Sequence, residues 1–216
     1  MSPTTGPVGA GQPHASWDFA WNVPNILTLI RLASVPVFAW MLLAHPDDQV
    51  WRIATTAVFL AAIITDSFDG WYARKYNMIT NFGKLWDSIA DKALTGMGFI
   101  GLSILGELPW WMTIIILARE WGITAMRFVV LKYGVMSANR GGKLKTIMQA
   151  VALPMFLLWW PDAPLIVEIV RWGCMIIAFA LTVVTGMDYI REAVRLRRAA
   201  LAAGGPVDIS QIRNAN

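Results

Sequence analysis

The chain has 216 residues, of which 56% are hydrophobic and 15% charged, and it carries twelve tryptophans. That apolar load exceeds what a soluble domain of this size can hide, so the composition points to a lipid bilayer as the solvent. The formal charge of +4 does not indicate nucleic acid, because the basic residues stand at the ends of apolar segments rather than along one soluble face.

The first residues, rich in Pro and Gly and without Lys or Arg, lack the basic and apolar regions of a cleaved signal peptide. Residues 1–16 are expected to be a disordered cytoplasmic arm, followed at Trp17, Phe19 and Trp21 by a short interfacial helix, since indole rings favour the headgroup layer. The histidines His14 and His45 have no partners at metal-ligand spacing. The single thiol, Cys174, lies in an apolar stretch and reads as a packing residue.

A spanning helix needs about 20 mostly apolar residues, and six such segments occur, at roughly 25–44, 50–72, 84–106, 109–132, 143–160 and 164–190. Breakers and polar clusters separate them: His45 to Asp48, Asn77 to Gly83, Gly106 to Pro109, Gly134 to Gly142 and Pro161 to Pro164. The expected fold is an all-α integral membrane protein with six transmembrane helices and a short N-terminal interfacial helix. Its membrane domain spans 17–198, and a cytoplasmic tail fills 199–216.

Orientation follows from the basic residues, which accumulate in short cytoplasmic connections. Arg31, Arg74, Lys75, Lys84, Lys132, Arg140, Lys143, Lys145, Arg191, Arg195, Arg197 and Arg198 fall on one side, against chiefly Arg52 and Arg171 on the other. Both termini and the site described next are therefore expected on the cytoplasmic face of the cell's inner (plasma) membrane. The cluster from Arg191 to Arg198 reads as a helix end that snorkels toward the phosphates of membrane lipids.

The second span ends in Thr65-Asp66-Ser67-Phe68-Asp69-Gly70-Trp71-Tyr72-Ala73-Arg74, and the third begins Gly83-Lys84-Leu85-Trp86-Asp87-Ser88-Ile89-Ala90-Asp91. On helices, Asp66 and Asp69 are i,i+3 and Asp87 and Asp91 are i,i+4, so each pair shares one face. Two antiparallel helices can thus converge four carboxylates. Like charges so close in low dielectric raise one another's pKa unless a cation intervenes. All-oxygen donors without His or Cys select hard divalent ions such as Mg²⁺, Mn²⁺ or Ca²⁺ rather than zinc, and four carboxylates have capacity for two ions. Any one aspartate could instead cap a helix or pair with Arg74, Lys84 or Lys92; four together at intramembrane helix ends point to function. Gly70, Ala73 and Gly83 leave room for a ligand against the backbone, and Arg74 supplies a fixed cation.

The pattern Asp-x2-Asp-Gly-x2-Ala-Arg-x8-Gly-x3-Asp-x3-Asp, complete at its eight positions, resembles the CDP-alcohol phosphotransferase family. That resemblance implies a dimeric six-helix membrane enzyme in which an alcohol hydroxyl attacks the phosphorus of a CDP-linked substrate and CMP leaves. It further implies that Asp66, Asp69 and Asp87 ligate metal and that Asp91 is the base and shares in metal contact. Gly70, Ala73, Arg74 and Gly83 would bind the cytidine diphosphate. Three further stretches, Pro24 to Arg31, Arg119 to Arg127 and Gly142 to Gln149, are similar to phosphatidylglycerophosphate synthases within that family. They imply CDP-diacylglycerol as donor and glycerol 3-phosphate as acceptor. Thr28 and Arg31 would then face the nucleotide, and Arg119, Arg127, Lys143 and Lys145 would hold the acceptor phosphate. Each of these cations also has a plainer reading: an Arg119–Glu120 ion pair, a snorkelling Arg127, or positive-inside lysines. The alternatives are another member of the family (an inositol-phosphate, serine or cardiolipin-type transferase) and, from a different class, a cation transporter, which would place its carboxylates near the bilayer midplane.

Overall fold

A computed structural model describes residues 23–75, 81–130, 140–158, 160 and 162–203; the expected arm, the interfacial helix and the end of the tail lie outside the described residues. These form six α-helices and no strand: α1 (Val23–Ala44), α2 (Gln49–Lys75), α3 (Asn81–Ile104), α4 (Trp110–Val130), α5 (Arg140–Leu157) and α6 (Leu165–Ala203). Each expected span has its helix, but several ends differ. The stretches Asn81 to Gly83 and Arg140 to Gly142, expected as breakers, are first turns of helices, where unpaired N–H groups make polar residues and glycine tolerable. Helix α6 continues through Ala203, beyond the expected span end near residue 190 and past the helix end expected at Arg191 to Arg198, because Ala193, Leu196 and Ala200 keep a buried stripe at helical spacing. Gly106, with φ of 76°, ends α3 in the left-handed conformation that closes helices most readily with glycine.

At about 1.5 Å per residue, even the 18-residue α5 measures about 27 Å, close to the roughly 30 Å of a bilayer's hydrocarbon core. Two segments, Asn25–Ala44 and Leu165–Ala202, are apolar enough to cross on composition alone. The protein also exposes Ile30, Val37, Ile53, Ile64, Ile114, Ile147, Ile166, Ile176 and Val184 along its flanks. Such a surface suits lipid and would be a liability in water.

The two ends of the bundle differ in kind. One half is packed by Phe38, Leu42, Phe59, Phe99, Leu102, Leu153 and Phe156. At that end Arg52, with no exposed surface, donates from Nε to the Leu157 carbonyl at 2.8 Å and from Nη2 to the Phe156 carbonyl at 2.9 Å. The same Nη2 meets both Glu107 oxygens, at 2.8 and 2.9 Å. One guanidinium thus ties α2 to the orphan carbonyls at the end of α5 and to the α3–α4 turn. Burial pushes the Glu107 carboxyl up, against the opposing pull of Arg52. Arg171 is likewise committed, to Glu168 at 2.8 Å and to the face of Phe156 at 4.9 Å. Both cations of the sparsely basic end are therefore neutralised internally, which sharpens the charge asymmetry between the two ends. His45 stacks on Trp51 at 4.3 Å, within an aromatic group that includes Trp40. The other half carries the polar face of α1, where Asn25, Thr28 and Arg31 recur every third residue and are all buried.

Candidate active site

Helix α1 packs against both α2 and α3, which brings Arg31 between the two aspartate-bearing helices. The Arg31 side chain is 3% exposed, and its Nη1 lies 2.8 Å from Asp66 Oδ1 on α2 and 2.8 Å from Asp87 Oδ1 on α3. A residue expected to face a nucleotide thus sits between two of the expected metal ligands. The geometry has a direct chemical meaning: carboxylates from separate helices converge on a single point, and a cation stands there. Both acids are half-buried, so their mutual repulsion is large without that charge.

Asp91 stands one turn beyond Asp87 on α3, exposed and without an ion pair among the described residues. Its neighbour Lys92 donates to Ser88 Oγ at 2.6 Å and to the Ser88 carbonyl at 3.2 Å. Asp69, Gly70, Ala73 and Arg74 lie on α2 and Gly83 on α3, but their side-chain surroundings are outside the described residues. Among the described residues no three carboxylate, His or Cys side chains gather as a metal site. What is described fits a hard divalent ion: the donors are oxygens only, and two of them already share one cationic nitrogen.

A second polar cluster joins α4, α5 and α6. Arg119 donates from Nη1 to Glu120 Oε1 at 3.0 Å and from Nη2 to Thr185 Oγ1 at 2.8 Å, with its guanidinium 5.8 Å from the Tyr189 ring centre. Buried Lys145 comes from α5 to the same Glu120 Oε1. Beneath them Gln149 donates to Thr182 Oγ1 at 3.3 Å. Gly186 makes room for Arg119: a Cβ there would lie 3.0 Å from Arg119 Cγ. The Arg119–Glu120 pair foreseen as the plainer reading is therefore present, but within a cluster that also holds Lys145 and reaches α6. Arg127 and Lys143 are carried on α4 and α5, with side chains outside the described residues.

Sequence reasoning missed Glu120 as a shared anchor, and missed Thr185 and Gly186 altogether. A signal existed: Thr182, Thr185, Gly186 and Tyr189 put polar and small groups at i, i+3, i+4 and i+7, one face of an otherwise apolar helix.

A family model described as CDP-alcohol phosphatidyltransferase matches residues 21–184. The chain is 49% identical over 175 residues to the Mycobacterium tuberculosis protein named "Probable phosphatidylglycerophosphate synthase", covering 81% of this chain and 82% of that one. It is 38% identical to the CDP-diacylglycerol–glycerol-3-phosphate 3-phosphatidyltransferase of Bacillus subtilis, over 80% of this chain and 95% of the relative. It is also 30% identical to a CMP-forming cardiolipin synthase of Streptomyces coelicolor, over 93% and 96%.

Proposed function

We propose that this chain, which belongs to the CDP-alcohol phosphatidyltransferase family, transfers the phosphatidyl group of CDP-diacylglycerol to glycerol 3-phosphate, releasing CMP. The observation that carries the reading is the pairing of two separate charged clusters: carboxylates from α2 and α3 converging on one cation position, and Arg119 with Lys145 on α4 and α5. The names of the relatives at 49% and 38% identity support the same acceptor. Six helices, each about long enough to cross, support six spans with the aspartate end at the cytoplasmic face, where the basic residues gather.

Asp66, Asp69 and Asp87 would hold divalent metal, Mg²⁺ or Mn²⁺ and as many as two ions, with Asp91 at their edge. Metal bound there supplies charge neutralisation for the pyrophosphate and for the charge that develops on the departing CMP. The chain's own groups do the rest. Asp91 accepts the proton of the acceptor hydroxyl as its oxygen bonds to the lipid-linked phosphorus and the bond from that phosphorus to CMP breaks. Arg31, tied to Asp66 and Asp87, keeps the two ligand-bearing helices in register. Thr28 lies one turn from it on the same buried face, and Gly70, Ala73, Arg74 and Gly83 would border the cytidine diphosphate.

The acceptor brings a dianionic phosphate of its own, which must dock without drawing on the cation site of the aspartates. Arg119, Arg127, Lys143 and Lys145 are the residues for that task. A charge-assisted hydrogen bond to phosphate in a water-poor pocket contributes about 1.5–3 kcal/mol, so Lys145→Gln or Arg127→Gln should raise the KM for glycerol 3-phosphate roughly tenfold to a hundredfold or more. The KM for CDP-diacylglycerol should stay nearly constant, because a residue touching one substrate affects one KM. An unchanged KM for glycerol 3-phosphate in both variants would dismiss this pocket.

A further inference from the structure

Adjacent residues on a helix do not face each other, so a contact between Arg119 and Glu120 has to be built. It is built from outside. Thr185 takes one arm of the Arg119 fork, Gly186 admits its stem, and the other arm is left 3.0 Å from Glu120 Oε1. Lys145 arrives from the neighbouring helix at that same oxygen. Among the described residues Glu120 is the only carboxylate in an ion pair with either cation.

Resting on the acceptor-pocket reading above, we infer that Glu120 is a positioning residue: its carboxylate holds Lys145 and Arg119 together so that both face one acceptor phosphate. A buried ammonium on a flexible four-carbon stem is costly without a counter-ion and poorly placed without a fixed partner. Glu120 supplies both needs. The balance of charge still favours an anion, since two cations share one carboxylate. Donors also remain for it. Lys145 spends one of its three N–H groups on Glu120, and Arg119 Nε is a buried N–H without a hydrogen-bond partner among the described residues. Glu120 touches no reacting atom in this scheme and acts through the two cations.

The test is a double-mutant cycle in the full-length purified protein, reading KM for glycerol 3-phosphate, KM for CDP-diacylglycerol and kcat for Glu120→Gln, Lys145→Gln and the pair. Removing a partner of a charge-assisted bond should raise the glycerol 3-phosphate KM of Glu120→Gln by about tenfold or more, with the other KM and kcat within about twofold. In the Lys145→Gln background the same change should have a smaller effect than in the wild type, because only the part that Glu120 exerts through Arg119 is left. Glu120→Asp, which keeps the charge but withdraws it by one methylene, should give an intermediate KM and keeps the test open if the glutamine variant does not fold. A glycerol 3-phosphate KM that falls or stays constant in Glu120→Gln, or effects that add fully, would overturn the inference while leaving the pocket intact. If Lys145→Gln alone leaves that KM unchanged, Lys145 holds no acceptor phosphate and this inference fails, whereas the pocket reading itself fails only if Arg127→Gln leaves it unchanged as well.

Discussion

Asp87→Asn should abolish CMP release at ordinary divalent ion concentrations, and Asp66→Asn should do the same. The amide keeps the shape of the side chain and one oxygen but loses the charge. Among the described residues Arg31 would then face one carboxylate where it now faces two, and the site would have one charged ligand fewer for a divalent ion. Loss of a single preorganised electrostatic contact of this kind costs about 10²–10³ in turnover, and loss of a charged ligand should reach the upper end of that range. The two variants should also need more metal for whatever activity remains, and should bind Mn²⁺ more weakly in a direct titration without substrate. Wild-type Mn²⁺ affinity in both variants, or full activity of the unaltered protein in chelator, would remove the metal from the account.

Asp91→Asn should separate binding from chemistry. Asp91 is one turn past Asp87, exposed, and free of ion pairs among the described residues, so its carboxylate is available to an incoming hydroxyl. Its neighbour Lys92 is hydrogen-bonded to Ser88. An amide cannot take the proton, and loss of a general base lowers turnover by about 10²–10⁴. CDP-diacylglycerol should still bind, because the residues assigned to the nucleotide and to its phosphates are intact. Turnover near the wild-type rate would reassign the base, and a parallel loss of CDP-diacylglycerol binding would make Asp91 chiefly a metal ligand.

The helices were legible because the bilayer imposes a simple rule: long apolar runs interrupted by Pro, Gly and charge. Their ends were less so. Gly141 and Gly142 look like breakers in sequence, yet sit in the first turn of α5. The length of α6 depends on the burial of Leu196 and Ala200, which charge-rich flanking sequence conceals. In the candidate site, the aspartates could be read at once, since i,i+3 and i,i+4 spacing is a local property. The place of Arg31 could not, because its contact with Asp87 spans 56 positions of chain and depends on how α1 packs. Glu120 escaped for the opposite reason. Standing next to Arg119, it resembled a local ion pair, and only the approach of α5 and α6 reveals a carboxylate shared between helices.

Purified protein incubated with CDP-diacylglycerol and Mg²⁺ or Mn²⁺, then offered glycerol 3-phosphate, inositol phosphate, serine or phosphatidylglycerol in separate reactions, tests the central claim most directly. CMP release should depend on glycerol 3-phosphate and yield phosphatidylglycerophosphate, with the other three acceptors near background. Release driven by phosphatidylglycerol instead, the substrate of a cardiolipin-forming enzyme, would contradict the assignment of the α4–α5–α6 cluster to a phosphorylated acceptor. Release with none of the four would contradict the transferase reading as a whole.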